Sequence, residues 1–151
     1  NTLSILERRK IEIQIMGPIL RAFIKKFGEL EATDTTREVI KQIARDQGSE
    51  FAKFIGSNSL MDFSSNKDPW QKGNALEIDE LQINEKEYSF NVTRCRYAEM
   101  YHDLGYGDLG KIFSCSRDFE FSTGFNSKIK LQRTQTIMEG FKFCDFRYRY
   151  D

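Results

Sequence analysis

The N-terminal third of the chain carries apolar residues at helical spacing. A first helix is predicted over residues 3–27, where apolar side chains recur at three-, four- and seven-residue steps. The series comprises Leu6, Ile13, Met16, Leu20, Phe23 and Phe27. Gly17-Pro18 interrupts it and predicts a kink or a break into two helices, because proline removes a backbone donor and crowds the preceding turn. Gly28 is predicted to end the helix.

A second helix is predicted to begin near Thr35 and to end at Gly56. Thr35 and Glu38 have the spacing of a capping box, which marks helix starts. The apolar positions of this helix are Val39, Ile40, Ile43, Phe51, Phe54 and Ile55. Ala44 and Gly48 are small residues four positions apart, and they would let another helix approach closely.

Residues 57–75 form the least regular part of the sequence, rich in Ser, Asn, Asp and Gly. Phe63 and Trp70 are predicted to anchor this segment to the rest of the protein. The segment is too short and too aromatic for a free linker, so it is predicted to connect a helical half to a strand-rich half.

From residue 76 onward the pattern changes to the alternation of strands. Residues 76–83 predict a first strand with a bulge between its two apolar pairs, and residues 88–93 predict a second strand after a turn at 84–86. Alternation stops at Cys95, where a short helix is predicted to follow and to end near Gly105.

The last part of the chain predicts one more helix and two more strands. The helix covers roughly residues 107–123, and the third strand has Ile129, Leu131, Arg133, Gln135 and Ile137 on one face. Gly140 turns the chain into a fourth strand over 141–149. The predicted fold class is α+β: N-terminal helices packed on a four-stranded, mainly antiparallel sheet, with one or two helices inserted between two hairpins. We expect a single domain over 1–151, with a helical part at 1–56 and a strand-rich part at 76–151 that carries the site.

Composition narrows the classes of function. The chain is 39% hydrophobic, with 13 Phe and 6 Tyr, as expected for a folded core. Lys and Arg number 23 and so do Asp and Glu, so a nucleic-acid partner is disfavoured. No apolar run is long enough to span a membrane, and no signal peptide is visible. Three cysteines, an odd number, favour a reducing, cytoplasmic setting.

The residue types that perform chemistry are concentrated between positions 95 and 144. Cys95, His102, Cys115 and Cys144 are all the cysteines and the only histidine of the chain. Cys95 and His102 would share one face of a helix, and Cys115 and Asp118 would share another. The alternative is that these thiols are inert core residues, because free cysteine often serves as a small buried hydrophobic residue.

Arg133 falls on the apolar side of its predicted strand. A buried arginine requires an acidic partner or an anionic ligand. Asp118 and Asp145 are candidate partners, and a ligand carboxylate is the alternative, because guanidinium and carboxylate form a two-point contact.

Three stretches of the C-terminal half carry a recognisable signature. They are Phe90-Asn91-Val92-Thr93-Arg94-Cys95-x-Tyr97-Ala98-Glu99, Cys115-x-x-Asp118-Phe119 followed by Gly124-Phe125-Asn126, and Leu131-x-Arg133-Thr134-Gln135-Thr136-Ile137-Met138-x-Gly140 closing with Cys144-Asp145-Phe146-Arg147-Tyr148. Together they resemble the L-2-amino-thiazoline-4-carboxylic acid hydrolase family. The resemblance implies a hydrolase that opens the ring of a cyclic amidine-like thiazoline carboxylate toward cysteine.

The resemblance also implies which residues form the site. Cys115 is the preferred nucleophile, Asp118 one helical turn later is its acid or base, and Cys144 with Asp145 is a second pair. Cys95 also matches a family position. Arg133 is expected to bind the substrate carboxylate, together with Thr134 and Asn126. Arg94 and Arg117 are expected to lower the pKa of a nearby thiol.

Two other classes of function remain open from the sequence. One is a small-molecule binding domain without catalysis, whose pocket lies between the helices and the sheet. The other is a structural zinc protein, with ligands Cys95, Cys115, Cys144 and His102. The leading hypothesis requires neither metal nor cofactor. Its partner is a small-molecule carboxylate substrate, with no nucleic acid and no membrane, and a homo-oligomer stays open.

Overall fold

The computed structural model describes residues 3–151, and its N-terminal part consists of two long helices. Helix α1 spans Ile5–Phe27 and α2 spans Glu29–Ile55. Ser4 caps α1, because its hydroxyl accepts a hydrogen bond of 3.1 Å from the Glu7 backbone N–H. Gly28 separates the helices at a φ of 95°, a backbone conformation that glycine adopts without strain, so the predicted stop is confirmed.

Of the two alternatives at Gly17-Pro18, the break into two helices is wrong, because α1 runs through both residues, and the kink stays a prediction. The neighbouring Gly17 has a packing role. Gly17 is buried under the Tyr106 ring, and a Cβ at this position would lie 2.6 Å from Tyr106 Cε1. The glycine therefore serves close packing rather than a break in the helix.

The predicted start of the second helix is also wrong, because α2 begins at Glu29 rather than near Thr35. Glu29 and Glu31 place negative charge in the first turn, where the helix dipole favours it. Thr36, next to the supposed cap, donates its hydroxyl to the Ala32 carbonyl at 2.8 Å in the middle of the helix. The predicted end at Gly56 is confirmed.

The segment that joins the two halves is more regular than its composition predicts. It contains the short helices α3, Leu60–Ser65, and α4, Asp68–Gln71, followed by a 3-10 turn at Lys72–Asn74. Its two predicted anchors are confirmed. The Phe63 ring lies 5.0 Å from the Phe125 ring, and the Trp70 ring lies 5.1 Å from the Phe121 ring.

Four strands form one sheet in the order β1-β2-β4-β3, and all neighbours are antiparallel. The strands are β1, Leu76–Ile83; β2, Glu87–Cys95; β3, Ile129–Gln132; and β4, Cys144–Tyr150. A register shift between Glu80 and Gln82 confirms the predicted bulge in β1. The predicted α+β fold is therefore confirmed. None of the helices within residues 3–151 has the length and apolar character needed to cross a bilayer.

The helices inserted between the strand pairs differ from the prediction in one respect. Helix α5 spans Arg96–Asp103, as expected. The single helix predicted over 107–123 is instead a π-helical turn at Lys111–Cys115 followed by α6, Arg117–Phe125. The wider turn separates Cys115 from α6, so the two do not belong to one regular helix.

The third strand stops at Gln132, so Arg133 lies in the connection to β4 rather than on a strand. The backbone N–H groups of Thr134 and Gln135 donate to the Asp145 carboxylate, each at 2.9 Å, instead of to a neighbouring strand. A side chain therefore replaces the strand pairing that alternation predicted.

Helices α2 and α6 pack with their backbones in close contact, as Ala44 and Gly48 predicted. A Cβ on Gly48 would lie 2.1 Å from the Phe121 carbonyl oxygen of α6. Conversely, a Cβ on Gly124 would lie 2.0 Å from the Arg45 carbonyl oxygen of α2. This reciprocal contact fixes the separation of the two helices.

We expect Gly48→Ala to lower the free energy of unfolding by about 1–3 kcal/mol, because the added methyl group overlaps the α6 backbone. Alanine otherwise favours a helix over glycine, so the sign of the change is informative. Urea denaturation measures it, and Asp46→Ala on the exposed side of α2 is the control. A Gly48→Ala protein as stable as the parent would contradict the close contact.

Candidate functional site

A cavity of about 510 Å³ lies between the helices and the inner face of the sheet. Residues of two apolar core clusters line it, one cluster around α1, α5 and the π-helical turn, the other on β2 and β4. Its walls include the first turns of α1, the end of α2, the connecting segment and the start of α6. Every layer of the fold therefore contributes to one space.

Five of the residues predicted for the site line this cavity. They are Cys95, Cys115, Asp118, Arg133 and Cys144. Asn126, Thr134 and Asp145 are not among the lining residues. The fold thus brings together all three thiols, one carboxylate and one guanidinium from separate parts of the sequence.

The sheet positions two of the thiols at neighbouring strand ends. Cys95 ends β2 and caps α5, and its Sγ accepts a hydrogen bond of 3.4 Å from the Ala98 backbone N–H. Cys144 begins β4, opposite Val92 of β2, and its Sγ accepts from the Ile137 backbone N–H at 3.2 Å. Both sulfur atoms are therefore held by backbone donors at the cavity wall.

Arg133 and Asp118 form the central ion pair of the cavity. Arg133 Nη1 donates to Asp118 Oδ2 at 2.6 Å, and Nη2 donates to the Cys115 carbonyl at 3.1 Å. The guanidinium carbon lies 4.9 Å from the Phe119 ring centroid and 5.0 Å from that of Phe146. Only 5% of the Arg133 side chain is exposed. The acidic partner that a buried arginine requires is thus Asp118.

Burial sets the protonation of the thiols. It raises the pKa of Cys95 to about 11, and it raises the pKa values of Cys115 and Cys144 as well. The charge of Asp118 acts in the same direction on all three. At neutral pH these groups are protonated thiols.

The expectation that arginines activate a thiol is therefore wrong. Arg94 pairs with Glu99 at 3.0 Å on the surface. Arg117 is buried beside α1, and it does not prevent burial from raising the pKa of Cys115. Desolvation outweighs the neighbouring positive charges.

Two opposing effects change the pKa of Asp118. Burial raises the pKa of its carboxyl group above the usual value, and the Arg133 charge and hydrogen bond partly offset this rise. A carboxylate with a raised pKa is a stronger base than a solvated one. Asp118 is thus better suited than the three protonated thiols to accept a proton in the cavity.

The other predicted binding residues organise the chain around the cavity. Asp145 accepts the backbone N–H groups of Thr134 and Gln135 and also the Thr134 hydroxyl. The Asn126 side-chain amide donates to the Asn58 carbonyl at 2.9 Å, joining α6 to the segment after α2. Substrate contact by Thr134, Asn126 or Asp145 stays a prediction.

His102 lies apart from the cysteines. It is exposed on α5, where its ring contacts Gly107, and it does not line the cavity. Over residues 3–151, no group of three or more His, Cys, Asp and Glu side chains is arranged to hold a metal ion. The zinc hypothesis thus gains no support from the arrangement, and the metal content stays a prediction.

Comparison with known protein families shows to which family the chain belongs. The family model of the L-2-amino-thiazoline-4-carboxylic acid hydrolases matches residues 8–148. The chain belongs to this family. The resemblance noted in the C-terminal half thus extends to the N-terminal helices, including those that line the cavity.

Two of the solved structures that share this fold illustrate the likeness. The phenol-responsive sensory domain of the transcription activator PoxR, with phenol, is 10% identical, has a TM-score of 0.55, and is matched over 89% of this chain and 72% of that chain. A trafficking protein particle complex subunit 3 from Naegleria fowleri, covalently bound to palmitic acid, is 9% identical with a TM-score of 0.55 over 95% of both chains. At these identities the likeness concerns the fold. No curated protein sequence matches the chain.

Sequence reasoning missed part of the cavity wall in this family member. Arg8 and Arg9 of α1 line the cavity although they read as polar positions of a surface helix. Phe51, Trp70 and Phe121 form another part of the wall, at the place between the helices and the sheet where the binding-domain hypothesis put its pocket. The only signal was the family match of the N-terminal helices, which begins at residue 8.

We expect alkylation of Cys95 by iodoacetamide to accelerate up to about pH 11, because only the thiolate reacts and burial raises the thiol pKa to about 11. Mass spectrometry of the alkylated peptide measures the rate. The urea-unfolded protein is the control, and its rate should level off near the ordinary pKa of about 8.5. Poor access alone would slow the reaction by a constant factor, so identical pH profiles would contradict the raised pKa.

Proposed function

We propose that this protein is a hydrolase that opens the ring of a small cyclic amidine-like carboxylate, of the 2-amino-thiazoline-4-carboxylate type. The observation that carries the proposal is the Asp118 carboxyl group, held by Arg133 at 2.6 Å beside three thiols in one cavity. Membership of a family named for this hydrolysis supports it.

The proposed reaction occurs at the ring carbon flanked by sulfur and nitrogen. The oxygen of water bonds to this carbon while one water proton passes to a base, and the ring C=N double bond becomes a single bond whose nitrogen takes up a proton. In the resulting tetrahedral intermediate the new hydroxyl group loses its proton to form a C=O bond. The ring C–N or the ring C–S bond breaks, and the released nitrogen or sulfur takes up that proton. The product is a ring-opened carbamoyl compound that contains all atoms of the substrate and of one water molecule.

Asp118 is the proposed base. Its carboxylate lines the cavity, and burial raises its pKa toward the range in which a base is effective near neutral pH. Arg133 is a positioning residue in this scheme, because its two hydrogen bonds orient Asp118 relative to the Cys115 backbone.

Cys115 is the alternative group for attack on the ring carbon. A thiol must lose its proton before it attacks, and burial raises the pKa of Cys115 above its usual value. Attack by water assisted by Asp118 avoids this unfavourable ionisation. The cost of ionising a thiol thus favours Asp118 as the residue whose replacement lowers turnover most. In this scheme Cys95, Cys115 and Cys144 only line the space in which the reaction occurs.

We expect Asp118→Asn to lower kcat for ring opening of 2-amino-thiazoline-4-carboxylate by about 10²–10⁴-fold, because the amide cannot accept the proton. Product formation is followed by mass spectrometry. Asp103→Asn, an exposed aspartate on α5, is the matched control and should keep full turnover.

The single variants Cys95→Ser, Cys115→Ser and Cys144→Ser separate the two routes. Turnover that survives in all three while Asp118→Asn is inactive would support attack by water. Loss of turnover in Cys115→Ser alone, with retained folding, would identify Cys115 as the nucleophile. Wild-type protein that binds the thiazoline carboxylate saturably without forming product would exclude the hydrolase function.

The pH dependence of kcat/KM provides a separate expectation. Asp118 acts in its ionised form, so activity should fall on acidification through a pKa above the ordinary value of about 3.9. Arg133→Met should move this limb to still higher pH, because Arg133 lowers the pKa of Asp118. Arg149→Met, on the exposed side of β4, is the control. A limb at the ordinary value in the wild type would contradict the role of Asp118.

A second candidate function is the binding, without catalysis, of a larger apolar carboxylate. The cavity of about 510 Å³ falls in the range of pockets for drug-sized ligands, whereas a thiazoline carboxylate has a single five-membered ring. Phe51, Phe63 and Trp70 line the space that remains. Two solved structures of similar fold, one with phenol and one covalently bound to palmitic acid, support an apolar ligand for this candidate.

A further inference from the structure

A second charged cluster lies at the α1 side of the cavity. Arg9 of α1 and Arg117 of α6 both line the cavity and share one acidic partner, Glu12. Arg9 Nη1 lies 3.2 Å from Glu12 Oε2, and Arg117 Nη2 lies 3.4 Å from Glu12 Oε1. Two guanidinium groups therefore face one carboxylate, which leaves an excess of positive charge in a mostly buried place.

Both guanidinium groups keep donors free for a ligand. Within the part of the chain that the structure describes, Arg9 uses only Nη1, and Arg117 uses Nε, bound to the Phe113 carbonyl at 2.7 Å, and Nη2. A guanidinium has five N–H donors, so Nε and Nη2 of Arg9 and Nη1 of Arg117 are available. Both residues line the cavity, and only 9% of the Arg117 side chain is exposed.

The neighbouring groups also indicate an excess of positive charge around Arg9 and Arg117. Burial and the charge of Arg9 lower the pKa of Arg117 to about 10, as expected for cations held close together. Tyr101 lies within reach of the charges of Arg9, Glu12 and Arg117, and its buried hydroxyl has no hydrogen-bond partner among the described residues. The cluster is thus short of negative charge.

Arg133 cannot fill the role of anion binder as easily. Its charge is matched by Asp118 at 2.6 Å, and two aromatic rings cover its faces. Within residues 3–151, the charged residues along the cavity wall are cationic Arg8, Arg9, Lys67, Arg117 and Arg133 and anionic Glu50 and Asp118. Lys67 is paired with Glu80 at 2.6 Å, so the unmatched positive charge lies on the α1 side.

We propose that Arg9 and Arg117 form an anion subsite that binds the carboxylate group of the ligand. Arg117 directly precedes Asp118 in the chain, and both arginine charges act on the Asp118 carboxyl group. A ligand held there by its carboxylate extends along the cavity past Cys115 and Asp118. The identity of that ligand as a thiazoline carboxylate rests on the proposed function, whereas the subsite itself does not.

Equilibrium binding tests the subsite without requiring turnover. Two matched probe pairs are titrated calorimetrically into the full protein: 2-amino-thiazoline-4-carboxylate against its carboxamide, and octanoate against octanamide. We expect Arg9→Gln to weaken the binding of the carboxylate in at least one pair by about ten-fold or more, and to change the binding of the matched amide little. Arg9→Lys should recover part of the affinity, because it restores the charge without the two-point contact.

Arg21→Gln is the matched control, because Arg21 lies on α1 but pairs with Asp108 at 2.9 Å outside the cavity. Arg117→Lys tests the second member with its charge retained, and circular dichroism verifies folding of each variant. Equal losses for a carboxylate and its amide would overturn the subsite, as would wild-type protein that binds neither carboxylate. Charge-selective binding of octanoate alone would support the subsite while counting against the proposed thiazoline substrate.

Discussion

The ion pair between Arg133 and Asp118 is the interaction on which the cavity depends. It joins the connection after β3 to the first turn of α6, and through the Cys115 carbonyl it also holds the π-helical turn. The flanking rings of Phe119 and Phe146 tie the same guanidinium to both α6 and the sheet. The Arg133 side chain is 5% exposed and that of Asp118 is 32% exposed, so loss of Asp118 would leave a buried guanidinium without its acidic partner. The contact therefore fixes the backbone at Cys115, whereas Cys95 and Cys144 are held by backbone donors.

Because Arg133 is paired with Asp118, the arginines of the cavity differ in what they can bind. Arg133 is used internally, so its contribution is to orient and tune Asp118. Arg9 and Arg117 share Glu12 and retain donors that face the cavity. The Asp118 carboxyl group thus lies beside a region of positive charge, and an apolar aromatic wall completes the space. This arrangement suits a ligand with one anionic group and an apolar or ring-shaped body.

The sequence predicted the elements that depend on local patterns, and it failed where distant contacts override them. Alternation located β1 and β2, and small residues located the contact of α2 with α6. The start of α2 was wrong because a capping-box spacing also occurs inside a helix. Arg133 was placed on a strand because alternation cannot reveal that Asp145 captures the backbone of the next two residues. The thiols and Asp118 were found by residue type, whereas Arg9 required knowledge of which face of α1 meets the cavity.

The reciprocal contact of Gly48 and Gly124 limits how the family fold can diversify. Each glycine faces a backbone carbonyl of the opposite helix, not a side chain that could shrink in compensation. A larger residue at either position cannot be rescued by a second substitution at the other, because both are already the smallest residue. In this chain both positions therefore require glycine independently for as long as the helices keep this spacing. The cavity can change shape through the side chains of its wall while the distance between two of its supporting helices stays fixed.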